Sequence, residues 1–300
     1  MTTTLLFKPN FGGNAIYLAQ QAGQIVATPM PEWVAGMQSE VDSLKTCLTS
    51  LGLHTEFAWL GLLNAATQFE SNQEVAAAFL RRLHGAMAHR PEVVSRLAGV
   101  ISSLESAVRN AFPNLESELA LRVGPLSEQW SARGPGMLHR IATTTDPDLP
   151  PPEAKVAVVL PTCGGGGVAL LASNTVIFEG VLTNGDASLP EIMRLAWLVA
   201  QLQLDLPKFS EAIAPARLSQ IASLALLPPI LEAAQYVELI DFPKEQLTQM
   251  LSRAVQAWMP RRTQADTDAE ILASWWETQV DSQVPWRVAL TGLDRLILAP

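Results

Sequence analysis

From position 31 onward, apolar residues recur at three- and four-residue steps. Trp33, Val34, Met37, Val41, Leu44 and Leu48 build one stripe, the pattern of a helix with a single buried face. Gly52 is placed to stop it. The same period predicts helices over about 54–69 and 72–87. Asn72 is a candidate cap for the second, with Val75, Phe79, Leu80 and Leu83 on its buried face. A further helix opens at Pro91, whose fixed φ suits a first turn. It carries Val94, Leu97, Val100, Ile101, Leu104 and Val108 on one side, and Pro113 ends it. Residues 115–121 and 126–141 read as two more helical pieces. Gly124-Pro125 and Gly134-Pro135-Gly136 interrupt them and argue against a continuous helix. Short connectors favour antiparallel neighbours, so a helical bundle is expected over residues 1–142. The first 28 residues carry less pattern. Phe11-Gly12-Gly13-Asn14 reads as a turn, and residues 24–28 as a short strand.

Residues 143–153 break the periodicity. Pro147, Pro150, Pro151 and Pro152 favour extended chain and exclude helix, so a domain boundary is expected there. Beyond it the apolar runs shorten. Val156–Leu160, Val168–Leu171 and Thr175–Leu182 read as strands, with Ala172-Ser173-Asn174 turning between the last two. Ser188-Leu189-Pro190-Glu191 signals a helix start, with Ser188 as cap and Glu191 as capping-box partner. Ile192, Leu195, Ala196, Val199 and Leu202 share a face of that helix, and Pro207 closes it. Further helices are expected near 208–226, 229–238, 244–258 and 266–279. The fold class is therefore mainly α (α+β): an N-terminal helical bundle, then a smaller helical unit over 154–300 with a two- or three-stranded sheet.

Composition narrows the function classes. Hydrophobic residues make up 48% of the 300 and charged residues 16%, against about 25% charged in typical globular domains. Such a chain buries a core and is not disordered. The net charge of −9 supplies no basic excess to displace phosphate counterions, which excludes a nucleic-acid stripe. Two cysteines, Cys47 and Cys163, make neither a disulfide scaffold nor a multi-cysteine zinc module, and fit a reducing compartment. The first eight residues lack a basic region and a useful apolar run, so no signal peptide is read. No stretch of 18 apolar, charge-free residues would span a membrane. The expectation is a soluble, acidic, cytoplasmic protein without membrane partners. Sparse charge leaves apolar surface to cover, which points to a protein partner or a homo-oligomer.

Few residues promise chemistry. Cys163-Gly164-Gly165-Gly166-Gly167 is the most unusual segment, since four consecutive glycines carry an entropic cost. A phosphate loop would need a Gly-Lys-Ser/Thr ending before a helix, and Val168-Ala169-Leu170 follows instead. Cys163 as nucleophile, with the glycine N–H groups as oxyanion hole, would need a base. The histidines, His54, His84, His89 and His139, carry no signature around them. The plainer reading is a glycine-rich turn beside a small buried thiol. His84 and His89, five apart, sit ~140° apart on a helix and share no metal-binding face. Neither a metal nor a cofactor is implied. Glu179 lies opposite Phe178 by strand alternation and is expected to face outward. Arg133 beside Gly134-Pro135-Gly136 either forks an anion or ties down a loop through carbonyl groups. Trp275 and Trp276 point ~100° apart on a helix, so one can join the core while the other meets a partner.

The succession of glycine-rich turn, strand 175–182, short loop and apolar helix from Pro190 resembles the core of zinc metallopeptidases of the zincin type. Those place His-Glu-x-x-His on the helix that follows an edge strand. Here the helix reads Glu191-Ile192-Met193-Arg194-Leu195-Ala196-Trp197-Leu198-Val199-Ala200. It has no histidine, so the resemblance implies a scaffold without zinc hydrolysis. Two functions are expected from different classes. The first is a non-catalytic binding or scaffold protein acting through helical, Trp-bearing surfaces, able to self-associate. The alternative is an enzyme, or a degenerate one, centred on the glycine loop 163–167, the strand 175–182 and the helix 190–204. Cys163, Glu179 and Arg194 are its candidate catalytic groups, and Gly164, Gly165, Gly166 and Gly167 its candidate binding groups. Arg133, Trp275 and Trp276 are the binding candidates elsewhere.

Overall fold

The computed structural model describes residues 3–23, 32–53, 55–84, 90–162, 165–181, 186–211, 213–259 and 262–298. The chain is mainly α with one small sheet (α+β). It divides into two compact units that do not follow sequence order. One comprises Met1–Phe7, Gly124–Val156 and Cys163–Pro300, the other Lys8–Val123 and Ala157–Thr162.

The chain opens with strand β1 (Thr4–Pro9) and helix α1 (Phe11–Ala22). The segment 11–14 is thus the start of a helix, not a turn. Asn10 caps it, its side-chain oxygen accepting from the Gly13 N–H at 2.5 Å. A Cβ on Gly13 would stand 2.4 Å from that oxygen, so the glycine makes room for the cap. Ala15, Ile16, Tyr17, Leu18 and Ala19 are all buried, as in a helix surrounded by others. Its neighbours are α3 (Gln38–Ser50), α4 (Thr55–Ala66) and α6 (Pro91–Ala111). Asn14, fully buried, accepts from the Leu160 N–H at 2.7 Å. The stripe from Trp33 to Leu48 is split between the short α2 (Glu32–Ala35) and α3, because a turn at Gly36-Met37 intervenes. Helix α5 (Asn72–His84) packs on α4 and α6. Residues 24–28, expected as a strand, and His54 and His89 lie outside the described residues.

Residues 115–141 form one helix, α7 (Leu115–Thr144), with Pro125 and Pro135 inside it. The expected interruptions yield to packing. Leu115, Leu119, Leu126, Trp130, Met137 and Ile141 are all buried, at alternating steps of four and seven residues. A stripe that regular rewards a continuous helix at every turn, while each proline removes one hydrogen bond. Residues 143 and 144 complete the helix. The proline-rich stretch after it buries Leu149, and its Pro151 and Pro152 carbonyls accept from the Thr3 hydroxyl (2.7 Å) and the Thr4 N–H (3.0 Å).

The sheet has four strands rather than two or three, in the order β1-β2-β4-β3. Here β2 is Glu153–Val159, β3 is Gly167–Leu170 and β4 is Thr175–Glu179. The extra strand is β1, an edge strand whose six residues include Lys8 and Pro9 and give too little apolar alternation to read. β3 and β4 are antiparallel, with Gly167 opposite Phe178 and Leu170 opposite Thr175. They are joined by a 3-10 turn, Leu171–Ser173, and by Asn174 in the left-handed region (φ 51). Every residue of β4 is buried.

Helix α8 (Glu191–Val199) packs on β3 and β4 and is buried along its whole length. Ser188 does not cap it. Its hydroxyl and N–H donate to Asp186, and Pro190 stands at the N-cap position. Then follow α9 (Pro207–Ser210), α10 (Pro215–Ala225), α11 (Leu227–Tyr236), α12 (Leu247–Trp258), α13 (Ala265–Ser282) and α14 (Trp286–Leu298). The single helix expected over 208–226 is two, since Pro215 opens a new one. Helix α14 was not predicted by the periodicity, and it packs on α10 and α13. Among the described residues, no helix is long and apolar enough to cross a membrane.

Candidate functional site

Of the enzyme candidates, the structure brings Glu179, Arg194, Gly165, Gly166 and Gly167 together. Cys163 and Gly164 lie outside the described residues. Glu179 ends β4 and does not face outward: its exposure is 0%. The alternation rule fails because both faces of this strand are covered. A buried carboxylate needs donors, and two come from the glycine turn. Glu179 Oε2 accepts from the N–H groups of Gly165 (2.9 Å) and Gly166 (2.7 Å). Consecutive backbone N–H groups converging on an anion form a nest. The turn is thus an anion-binding loop whose anion comes from its own chain.

Arg194, one turn into α8, is buried with it. Its guanidinium donates to the Glu179 backbone carbonyl at 2.6 Å and to Glu191 Oε1 at 3.2 Å. It also lies 4.3 Å above the Phe178 ring. Glu191 Oε1 in turn accepts from the Val181 N–H at 2.6 Å. Two glycines are required by this packing. At Gly165 (φ 148) a Cβ would stand 2.4 Å from an Arg194 nitrogen, and at Gly167 it would stand 2.5 Å from Leu198. The cluster joins loop, strand and helix: Arg194 pairs with Glu191, and the Glu179 carboxylate is held by the glycine N–H groups. Chemically, it holds the turn in place.

Arg133 lies on α7 and donates to the Val237 carbonyl, just past the end of α11, at 2.6 Å. Gly134 sits under the Trp130 ring, where a Cβ would come within 2.3 Å, and Gly136 faces Val237. Arg133 therefore binds a helix C-terminus.

Trp275 and Trp276 are each 6% exposed. With Trp286 they form a cluster whose ring centroids are 5.7–6.5 Å apart. Trp275 Nε1 donates to the Ala289 carbonyl at 3.0 Å. Both rings nevertheless reach the base of a groove. Trp275 lines one between α13 and α14, with Val288 and Leu296 exposed beside it. Trp276 lines a second, of about 510 Å³.

That second groove has an apolar floor of Pro228, Phe242, Leu247, Trp276 and Val280. Its walls are α11 and α13. Glu232 and Gln235 come from the first, Glu277 and Asp281 from the second. On α13 the lining positions 276, 277, 280 and 281 fall on one face by helical spacing. Val280 is 51% exposed there, an apolar side chain on an otherwise polar turn. Lys244 pairs with Glu277 at 3.0 Å. That hydrogen bond and the Glu277 charge raise the Lys244 pKa above its ordinary value, Asp281 and Glu245 adding to them against a small desolvation penalty. Glu232 pairs with Arg140, which lies over the Tyr236 ring. Sequence reading singled out Trp276 but not these partners. The i, i+4 pair Trp276 and Val280 was the available signal. In comparisons with known proteins, no family model, no curated protein and no solved structure matches the chain.

Proposed function

We propose that this chain is a non-catalytic protein-binding module acting through a helical, tryptophan-floored surface. The observation that carries it is the open groove between α11 and α13, with Trp276 and the half-exposed Val280 both on its apolar floor. Aromatic rings at the base of such grooves serve as anchoring points in protein interfaces. Against the enzyme alternative stands the engagement of the glycine N–H groups. Those of Gly165 and Gly166 already bind Glu179, the groups an oxyanion or phosphate would need. The low charge content, 16%, fits a protein that also covers surface by self-association. A cytoplasmic location is in keeping with the free, buried Cys47.

Selection of displayed random peptides against the purified chain tests this function. The expected result is a set of binders that lose affinity for the Val280→Arg variant, in which a charged side chain fills the groove. Failure to select any binder, or binders indifferent to Val280→Arg, overturns it. Light scattering at two concentrations reads self-association separately. A mass of 32.4 kDa at both removes the homo-oligomer.

A further inference from the structure

We infer that the occupant of the α11–α13 groove is a short amphipathic segment of another protein, apolar on one face and Lys/Arg-bearing on the other. This rests on the binding function proposed above and names its partner chemistry. Three observations converge on it.

The floor is apolar and the rim acidic. Pro228, Phe242, Leu247, Trp276 and Val280 offer a surface for apolar side chains, and Glu232, Glu277 and Asp281 stand around it. Among the described lining residues Lys244 is the one base, and Glu277 pairs with it. Rim charge of one sign selects a partner of the other sign.

Both walls present the C-terminal part of a helix. Glu232 and Gln235 lie in the last turns of α11, and Glu277 and Asp281 in the last turns of α13. Neither helix carries a basic residue in its last turn. A helix C-terminus bears partial negative charge and favours cations. Here acids stand where bases would offset that charge. Glu232 and Glu277 are ion-paired with Arg140 and Lys244, and Asp281 leaves the rim net acidic. Lys244 is raised chiefly by its hydrogen bond to Glu277 and by that charge, with Asp281 adding to it.

A second copy of this chain fits the site poorly, because it is itself acidic, with 29 carboxylates against 20 basic side chains. A partner helix laid in the groove would present anchors at i, i+3 or i+4 to the floor and cations to the rim.

The test uses the full chain and two labelled amphipathic peptides, one built of leucine and lysine, the other of leucine and glutamate, read by fluorescence anisotropy. The leucine–lysine peptide is expected to bind and the leucine–glutamate peptide not to. Val280→Arg, and separately the pair Glu277→Gln with Asp281→Asn, should each weaken binding about ten-fold. All three positions are exposed, and circular dichroism confirms that each variant is folded. Absence of leucine–lysine binding, or binding unchanged in both variants, overturns the inference. If display-selected neutral peptides still bind in a Val280-dependent way, the partner chemistry falls and the binding function stands. If nothing binds, both fall.

Discussion

A carboxylate with no solvent exposure must find its hydrogen bonds inside the protein or give up its charge. Glu179 finds two at the glycine turn, from Gly165 and Gly166. Hydrogen bonds to a charged group contribute about 1.5–3 kcal/mol each, and leaving buried donors unpaired adds to the loss. Glu179→Ala is therefore expected to destabilise the fold by about 3 kcal/mol or more, read as a lowered urea midpoint. A loss below about 0.5 kcal/mol, the usual size for a surface position, would mean that the nest contributes nothing. Gly165→Ala probes the same cluster from the backbone. Its φ of 148 disfavours a side chain, and the new Cβ would press on Arg194. A loss of about 2 kcal/mol is expected. The sequence made the ingredients legible: the glycines, the strand and Glu179 were all marked. Their relation was not, because alternation assumes one solvated face, and β4 has none. Arg194 reached the candidate set by its place on the helix, while Glu191, which bonds it, was read only as a capping residue. Both roles depend on folding the helix back over the strand.

The long helix α7 shows how packing overrules local preference. Gly134 and Pro135 weaken a helix, yet the stripe through Leu119, Leu126, Trp130, Met137 and Ile141 spans them. That stripe is present in the sequence, but the prolines inside it are a strong local signal against a helix. A pair of variants separates the two effects. Gly99 on α6 has nothing within 4 Å of its would-be Cβ, so Gly99→Ala should stabilise by about 0.5–1 kcal/mol through helix propensity alone. Gly134→Ala gains the same propensity but drives a methyl group into the Trp130 ring. Overpacking costs about 1–3 kcal/mol, so the net change should have the opposite sign. Thermal midpoints of the two variants decide it. Two stabilising changes would show that the Trp130 ring moves aside freely. Helix α13 offers a further contrast. Asp281→Lys replaces an acid by a base near a helix C-terminus and should stabilise by about 0.5 kcal/mol. The same change should weaken the leucine–lysine peptide. A gain in stability with a loss in binding is the mark of a residue kept for a partner.

Across the whole molecule, charge is sparse and unevenly placed, and pH reads it. Besides the fully exposed Lys244, two groups in the unit that includes residues 124–156 and 163–300 carry shifted pKa values. Asp186 is lowered, chiefly by the hydrogen bond from the Ser188 hydroxyl, with burial opposing and the Ser188 N–H and Arg253 assisting. Lys208 loses some basicity to burial, but its bonds to Asp146 and Asp148 outweigh that and raise it above 10.5. A depressed carboxyl contributes stability that is full above its unfolded pKa, near 3.9, and is lost as pH falls through the folded value. A raised amine contributes stability that is full below about 10.4 and is lost as pH rises through the folded value. The stability of this unit should therefore be level between those limits and fall beyond each. Six of the eight tryptophans (Trp130, Trp197, Trp258, Trp275, Trp276 and Trp286) lie in it, so intrinsic fluorescence follows its unfolding. Lys208 ties the proline-rich stretch after α7 to α9, a closure between residues 60 and 62 positions apart. The proline count alone gave no sign of that closure, because ion pairs between distant positions leave no local pattern. Lys208→Met should lower the urea midpoint near neutrality and flatten the alkaline fall. Asp186→Asn should flatten the acid fall and leave the alkaline one intact. Both ion pairs are partly exposed, so the effects should shrink in high salt. An alkaline fall of the same size in Lys208→Met as in the wild type would assign it to another group and leave the stretch held by Leu149 and its backbone bonds.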